Sequence, residues 1–579
     1  GDTQTSSGTI LFENGNTVSF VTTVQDVGED TAKVTVAATA DEDLALQGVY
    51  YHINLPAGDY PQEAKLTERQ TVKTTAFRLT DPRRTIEVGT DDAVEFVLQR
   101  DKVIDTDIVS QLGLRLPRDA AADELVAIVF PIATGNMTKG QTVKATFTIK
   151  VGGQTDRAPV ALAVDTSKPG SPFAGIGGNF RVYGGEDQAS VDYNLANLRV
   201  PWGRVPMLLN AFEPREGMDP VEAMKAGGRQ TGQIKQAMET AKELAGKGIP
   251  LIVTTWDMPG WALLPPGPQT PGRPFSIPAR RLRQDKAAAV YDEVVTYLTY
   301  MKSAYGVEPA LVSINESDLG IDVMQTPEEH AEFIREVGRR MAEAGLKTKM
   351  LLADACSPHP VKFVDAAMRD PEAVKYIGAV SFHSWHDGTD AEFRAWGEAA
   401  RKLNVPLFCG EGGTDSDSYR YPAIFQEPWY AMYELDTYMR ICRESQPLSI
   451  LHWQMTANYS LLVGGGRSGQ PLSPGRRFWQ VKQLDVAPEG SAAVAVTTEA
   501  ANITACGFMK EGRVVVDVLN NGAARQATIT GLPSGATSAH VYVTDGDRGM
   551  KELEAAGVSN GTMQLSLPMD SLVTIDTGR

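Results

Sequence analysis

The sequence predicts an α/β protein: a TIM (β/α)8 barrel flanked by N-terminal and C-terminal antiparallel β-sandwich domains. Strand-like apolar runs alternate with helical stretches in the middle of the chain, whereas both flanks are strand-rich. All eight tryptophans lie between residues 200 and 480, which separates the middle from the flanks. The 579 residues suffice for two to four domains. We place a β-sandwich at 1–158, the barrel at 172–482, and a second β-sandwich at 160–170 plus 483–579.

The flanking segments carry the pattern of half-buried antiparallel strands. Polar and apolar residues alternate at period two in 17–21 and 31–36, and glycine-containing turns separate such runs. A similar strand-like pattern occurs in 513–519 and 571–575 near the end of the chain. A sandwich of two packed sheets is the natural fold for such strands.

The middle of the chain carries eight strand candidates with helical stretches between them. Thr326, Pro327 and Glu329 supply an N-cap, a proline in the first turn and a capping-box glutamate for one of these helices. Continuous apolar strands in β/α units are typical of a TIM barrel, and an open doubly wound sheet is the alternative. The strand candidates are 173–178, 198–202, 250–256, 311–316, 349–354, 379–383, 406–411 and 449–453.

The charge and composition of the chain limit the kinds of partner that it can bind. The formal net charge is −17, which disfavours nucleic acid because phosphate binding needs a basic face. No apolar run reaches the roughly 18 residues of a membrane span. The four cysteines form no CxxC motif, so zinc is not expected. The polar start after Gly1 resembles the end left by a removed signal peptide, and we expect a secreted, periplasmic or cell-surface monomer.

Polar and aromatic residues gather at the predicted carboxyl ends of the strands, where TIM barrels build their active sites. Glu316 ends the fourth strand and Glu411 the seventh. Two carboxylates that approach to about 5–5.5 Å can cleave a glycosidic bond, one as nucleophile and one as acid. Indole rings can stack on sugar faces while polar groups bind hydroxyls. The expected substrate-binding residues are Asn315, Arg199, His383, Trp453, Trp256, Trp202, Asp257 and Trp385.

The sequence contains little evidence for a metal-binding site. His383 and His386 form an HxxH pair, but the first strand has no HxH motif and HExxH is absent. The acidic, glycine-rich loop 412–419 does not meet EF-hand spacing, and a sugar-contacting role is favoured over Ca²⁺ there. We therefore expect no metal and no cofactor.

These residues resemble those of the glycoside hydrolase clan with (β/α)8 barrels and glutamates on strands four and seven. The glycine-rich segment 173–180 and the segment 256–261 are most similar to family 30 and its relatives. The resemblance implies that Glu316 is the acid/base, Glu411 the nucleophile and Asn315 a donor to the sugar 2-hydroxyl. It places Arg199, His383 and Trp453 around the same sugar.

The resulting hypothesis is a retaining glycosidase that cleaves β-glycosidic bonds of an oligo- or polysaccharide. Two alternatives stay open at this point. One is a non-catalytic carbohydrate-binding protein on an inactive barrel, and the other is a metal-dependent barrel hydrolase.

Overall fold

The structure is a computed structural model that describes residues 3–578 with gaps. It has two compact units, Gly1–Asp156 and Arg157–Arg579, and each is described by itself. The gaps lie at 12–16, 29, 47, 57–62, 64–65, 67, 82–83, 102–124, 154, 182–184, 228, 266–278, 386, 417, 421, 457 and 466–469.

The first unit is an antiparallel β-structure. Its long strand Arg84–Asp101 pairs with three neighbours and so links the two halves of the sheet. Both halves contribute to one core, in which the rings of Phe130 and Phe147 lie 4.9 Å apart. The strands are Thr3–Leu11, Thr17–Gly28, Thr31–Ala40, Gly48–Pro56, Gln70–Asp81, Arg84–Asp101, Leu125–Thr134 and Thr142–Gly153.

The second unit contains a closed barrel of eight parallel strands, which confirms the predicted TIM barrel and excludes the open sheet. The strands are apolar and buried because helices cover them outside and side chains fill the interior. In chain order they are Gly175–Asn179, Gly203–Met207, Leu251–Thr255, Leu311–Ile314, Lys349–Ala355, Ile377–His383, Leu407–Gly412 and Ser449–His452.

Helices connect the strands, and several begin at caps visible in the sequence. The Thr326 hydroxyl accepts a hydrogen bond from the Glu329 N–H, and the Glu329 carboxylate accepts one from the Thr326 N–H. This capping box fixes the start of the helix that follows the fourth strand. The described α-helices are Gly185–Asn197, Leu209–Phe212, Pro220–Ala226, Arg229–Gly246, Ala287–Tyr305, Pro327–Glu343, Asp365–Arg369, Pro371–Val374, Asp390–Leu403, Pro428–Glu444 and Arg476–Leu484. Within the described residues, no helix is long and apolar enough to cross a membrane.

The second barrel strand differs from the prediction. We expected it at 198–202, but that segment leads into the strand Gly203–Met207. Gly203 and Pro206 make the true strand look like a loop, since glycine and proline normally weaken strands. The five-residue shift changes which side chains of this segment reach the carboxyl end of the barrel.

Eleven of the remaining described strands form a β-domain beside the barrel, and Leu462–Val463 and Ser473–Pro474 pair with each other. Val160–Asp165 precedes the barrel in sequence, yet it pairs antiparallel with Ser491–Thr497 and parallel with Arg525–Thr530. The parallel pair departs from the expected antiparallel pattern because the whole barrel forms the connection between these two strands. The other strands are Pro172–Phe173, Ile503–Lys510, Arg513–Asn520, Ser538–Thr544, Lys551–Glu552, Ala556–Ser559, Thr562–Leu567 and Ser571–Asp576.

Candidate active site

The two predicted catalytic glutamates lie together at the carboxyl end of the barrel. Glu316 follows the fourth strand, and Glu411 lies in the seventh strand. Both side chains are buried. One carboxylate oxygen of each lies within 4.8 Å of the other and of a ring nitrogen of His383. The structure therefore brings into one site two carboxylates from strands far apart in sequence.

His383, at the end of the sixth strand, bridges the carboxylates. Its Nδ1 lies 2.9 Å from Glu316 Oε1 and 3.5 Å from Glu411 Oε2, and its Nε2 lies 3.1 Å from Asp354 Oδ1. Burial opposes a charge on the ring, but the negative charges of Glu411 and Asp354 raise the pKa of His383 to about 10. His383 is thus an imidazolium at neutral pH, and both ring nitrogens donate hydrogen bonds.

Arg204 is a principal site residue, although its sequence favoured an ordinary surface arginine over a residue of the cleft. It lies in the second barrel strand and is fully buried. Its Nη1 donates to Glu411 Oε1 at 2.6 Å and to Asn179 Oδ1 at 2.9 Å. Its Nη2 donates to Asn315 Oδ1 at 2.6 Å and to Asp354 Oδ2 at 2.8 Å. One guanidinium therefore holds both the Glu411 carboxylate and the Asn315 amide.

The contact with Arg204 also fixes the orientation of Asn315. A guanidinium can only donate, so the Asn315 amide oxygen must face it. The Asn315 Nδ2 then points away from Arg204 as a donor, and it has no acceptor in the part of the chain that the structure describes. A donor in this position can bind a hydroxyl group of a ligand.

Asp354, at the end of the fifth strand, lies beneath the site and accepts hydrogen bonds from five side chains. Burial opposes its charge, yet Arg204 and His383 hold the pKa of its carboxyl well below the usual range. Asp354 thereby anchors the two cations that contact Glu411 and Glu316. The donors are Arg204, Thr254, Ser313, Ser381 and His383.

The backbone beside the site adopts conformations that non-glycine residues rarely show. Glu316, Ala353 and Asp354 have φ values of +46°, +75° and +51°. The strand pairing shifts register next to Ala353, and the neutral ring of His330 accepts the Ala353 N–H at 3.0 Å. Burial lowers the pKa of His330 to about 4, so its Nε2 stays available as an acceptor. The bulge turns Asp354 towards the barrel interior.

The two glutamate carboxylates of the site differ in environment. Burial and the nearby charge of Glu411 raise the pKa of Glu316 to about 7, against the opposing effect of the His383 hydrogen bond. Glu411 accepts from Arg204 at 2.6 Å and from the Trp385 indole N–H at 3.0 Å. One group can thus keep a proton near neutral pH, while the other is surrounded by donors that suit a carboxylate.

Three of the predicted tryptophans gather around the glutamates. Trp453 lies 5.9 Å from Trp256 and 6.3 Å from Trp385 between ring centroids. The guanidinium groups of Arg204 and Arg181 lie 4.6 Å and 5.6 Å from the centre of the Trp256 ring. Trp385 also directs its N–H at Glu411. Sugar stacking remains a prediction for all three tryptophans.

Three other predicted residues lie outside this cluster. Arg199 and Trp202 precede the second strand, at the amino-terminal end of the barrel. Arg199 contacts Asp485 at 3.4 Å, and Trp202 packs edge-on against Phe408 at 4.8 Å. Asp257 accepts hydrogen bonds from the start of the helix Leu209–Phe212, and burial raises its pKa. The shifted second strand explains the first two errors, and Asp257 turns towards a local helix.

Metal binding at this site would compete with the proton on His383. Within the described residues, Glu316, His383 and Glu411 form the one group close enough to share an ion. Both nitrogens of His383 face carboxylates and its pKa is raised to about 10, so a metal would have to displace a proton from the ring to bind there. His386, the partner in the HxxH motif, lies outside the described residues.

Comparisons with known proteins agree with the observed fold. No family model and no curated protein matches the chain. A GH30 endoxylanase from Clostridium papyrosolvens C71 superposes with a TM-score of 0.58 at 18% identity, covering 72% of this chain and 99% of the endoxylanase. The family 30 subfamily 8 xylanase Xyn30A from Clostridium acetobutylicum gives a TM-score of 0.56 at 16% identity, with the same coverage. The endo-β1,6-glucanase BT3312 gives 0.50 at 14% identity, covering 74% and 94%.

At these identities the comparisons establish the fold alone. The chain has the fold of family 30 glycoside hydrolases, which confirms at that level the similarity found in its sequence motifs.

Proposed function

We propose that the protein is a retaining glycoside hydrolase that cleaves β-glycosidic bonds of an oligo- or polysaccharide by double displacement. The proposal rests on the pairing of Glu316 with Glu411. Their nearest carboxylate oxygens lie within 4.8 Å. Retaining glycosidases hold their carboxyl groups about 5–5.5 Å apart, whereas inverting enzymes need about 6.5–9.5 Å to admit a water molecule.

The environments of the two glutamates support a different role for each. In the first step, a Glu411 oxygen forms a bond to the anomeric carbon while the bond to the leaving oxygen breaks. Glu316, whose pKa is raised to about 7, gives its proton to that leaving oxygen. In the second step, Glu316 removes a proton from water, which attacks the same carbon and releases Glu411. The Asn315 Nδ2 is directed to bind the hydroxyl next to the anomeric carbon.

The stereochemistry of the first product tests this mechanism. We expect ¹H NMR spectra recorded within minutes of mixing to show newly released sugar in the β configuration, before mutarotation. Xylan and β-1,6-glucan are the first polymers to try, because endoxylanases and an endo-β1,6-glucanase share the fold. Initial release of the α anomer would exclude double displacement at a β-linkage. Binding without hydrolysis across a broad panel of glycans would favour the non-catalytic carbohydrate-binding alternative.

The raised pKa of Glu316 predicts the alkaline limit of activity. Glu316 must be protonated in the free enzyme, so kcat/KM should fall tenfold per pH unit above about pH 7. The negative charge of Glu411 contributes to this shift. The variant Glu411→Gln should therefore lower the pKa of Glu316, measurable by ¹³C NMR of labelled glutamate. An unchanged pKa in that variant would contradict the proposed coupling between the two carboxyls.

The hydrogen bond from the Trp385 indole to Glu411 predicts a moderate and specific loss of activity when it is removed. Trp385→Phe keeps an aromatic ring but removes the N–H that contacts Glu411 at 3.0 Å. A hydrogen bond to a charged group contributes about 1.5–3 kcal/mol, so we expect kcat/KM to fall by about tenfold or more. Trp396→Phe is the matched control, because this buried indole donates to the Pro358 carbonyl instead. If both variants lost the same activity for the same loss of stability, a specific role of the Trp385 N–H at Glu411 would be refuted.

A further inference from the structure

The segment that follows Glu411 exposes two aromatic side chains. Among the described residues of the second unit, four large hydrophobic side chains are exposed by more than a third: Leu264, Tyr419, Trp429 and Met569. Two of the four are aromatic: Tyr419 lies between the seventh barrel strand and the helix Pro428–Glu444, and Trp429 lies in the first turn of that helix. Tyr419 is the more exposed of the pair, at 46% against 37% for Trp429.

Tyr419 is connected to the catalytic site by contacts between rings. Trp385, which donates to Glu411, lies 5.9 Å from Tyr459, and Tyr459 lies 6.3 Å from Tyr419. Trp385 and Tyr459 are buried, whereas Tyr419 is open to solvent. The buried aromatic cluster beside Glu411 therefore extends outwards and ends in one exposed ring. Among the described residues, Trp429 reaches this group through its neighbour Tyr430.

The exposed ring is held on a well-packed support. Tyr419 lies in the 3₁₀ turn Ser418–Arg420, and the Ser418 N–H donates to the Asp415 carbonyl at 3.3 Å. The Tyr459 hydroxyl donates to the Ser416 carbonyl and ties the two loops together. Tyr459 also packs on Phe425 at 5.2 Å. A turn that is already held in place loses little conformational freedom when a ligand binds to it.

We propose that Tyr419 forms an outer sugar-binding subsite, which binds a pyranose ring of the same glycan chain that enters the site between Glu316 and Glu411. The C–H face of a sugar is apolar and stacks on an exposed aromatic ring, while the sugar hydroxyls remain in water. The subsite deepens the proposed function and rests on it: the substrate is a glycan of several units, and binding strengthens when the chain reaches Tyr419.

Binding to an immobilised glycan array tests the subsite without requiring turnover. The parent protein is Glu411→Gln, so that bound glycans are not hydrolysed. The array carries oligomers and polymers of plant, fungal and bacterial β-glycans, including glucuronoxylan and β-1,6-glucan. We expect Tyr419→Ala in this background to weaken binding to the best polymer about tenfold, and Tyr419→Phe, which keeps the ring, to stay within about twofold of the parent.

Tyr50→Ala is the matched control. Tyr50 is also 46% exposed, but it lies in the first unit. The Tyr50→Ala variant should bind the glycans as strongly as the parent protein does. Equal binding by the Tyr419→Ala variant and the parent would overturn the proposal, as would a parent that binds no glycan on the array. If Tyr419→Phe weakened glycan binding as much as Tyr419→Ala, the proposal would also be overturned, because stacking needs only the aromatic ring. Hydrolysis by the unmutated protein is scored separately, so failure of the subsite and failure of the proposed reaction are distinguishable.

Discussion

Glu411→Ala is expected to reduce kcat by about 10⁴-fold or more, because the variant lacks the nucleophile that forms the covalent intermediate. The side chain is buried and accepts hydrogen bonds from Arg204 and Trp385, so no neighbouring carboxylate can replace it. Initial-rate assays on the best substrate check the loss. Glu398→Ala, an exposed glutamate on the helix Asp390–Leu403, is the control and should retain full activity.

Azide adds a stereochemical test of the same prediction. In Glu411→Ala, a small anion can enter the space of the lost carboxylate and attack from that face, giving an α-glycosyl azide. In Glu316→Ala, the covalent intermediate on Glu411 still forms with an activated leaving group, and azide then attacks from the opposite face to give a β-glycosyl azide. NMR spectra of the two products distinguish the roles. The same azide anomer from both variants would contradict the assignment of nucleophile and acid/base.

The sequence was sufficient to predict the barrel and the two glutamates. Apolar runs that stop at a charged residue are easily recognised, and the carboxyl ends of parallel strands must meet at one end of a barrel. Glu316, Glu411 and His383 each end such a run, and the structure brings them together. The predicted positions of these residues agree with the structure because the sequence signal for each one lies within its own strand.

Arg204 and Asp354 were harder to predict because their roles depend on distant neighbours. The strand that carries Arg204 contains Gly203 and Pro206, which made the preceding segment look more strand-like. The available signal was a charged residue inside an otherwise uncharged segment, which in a barrel strand implies a buried partner. Asp354 reaches its five donors only through a bulge and through strands that converge from across the barrel, and no local pattern encodes that convergence.

Asp354→Asn is expected to lower the free energy of unfolding of the second unit by about 3–5 kcal/mol. The change keeps the size of the side chain but removes the charge that pairs with Arg204 and His383, and a buried charge without its partner is costly. We also expect kcat to fall by about 10²-fold, because both cations lose the anchor that orients them towards Glu411 and Glu316. Urea unfolding followed by tryptophan fluorescence measures the stability, since all eight tryptophans lie in this unit.

Asp517→Asn provides a matched comparison at another buried aspartate. Burial raises the pKa of Asp517 to about 8, so this carboxyl is neutral at pH 7 and accepts a hydrogen bond from the Thr574 hydroxyl. Replacement of a neutral carboxyl by an amide should cost little, within about 1 kcal/mol. The same substitution is therefore expected to be severe at Asp354 and mild at Asp517, because the first carboxyl is ionised and the second is not. Equal losses at the two positions would show that burial alone, without the ion pairs to Arg204 and His383, determines the effect.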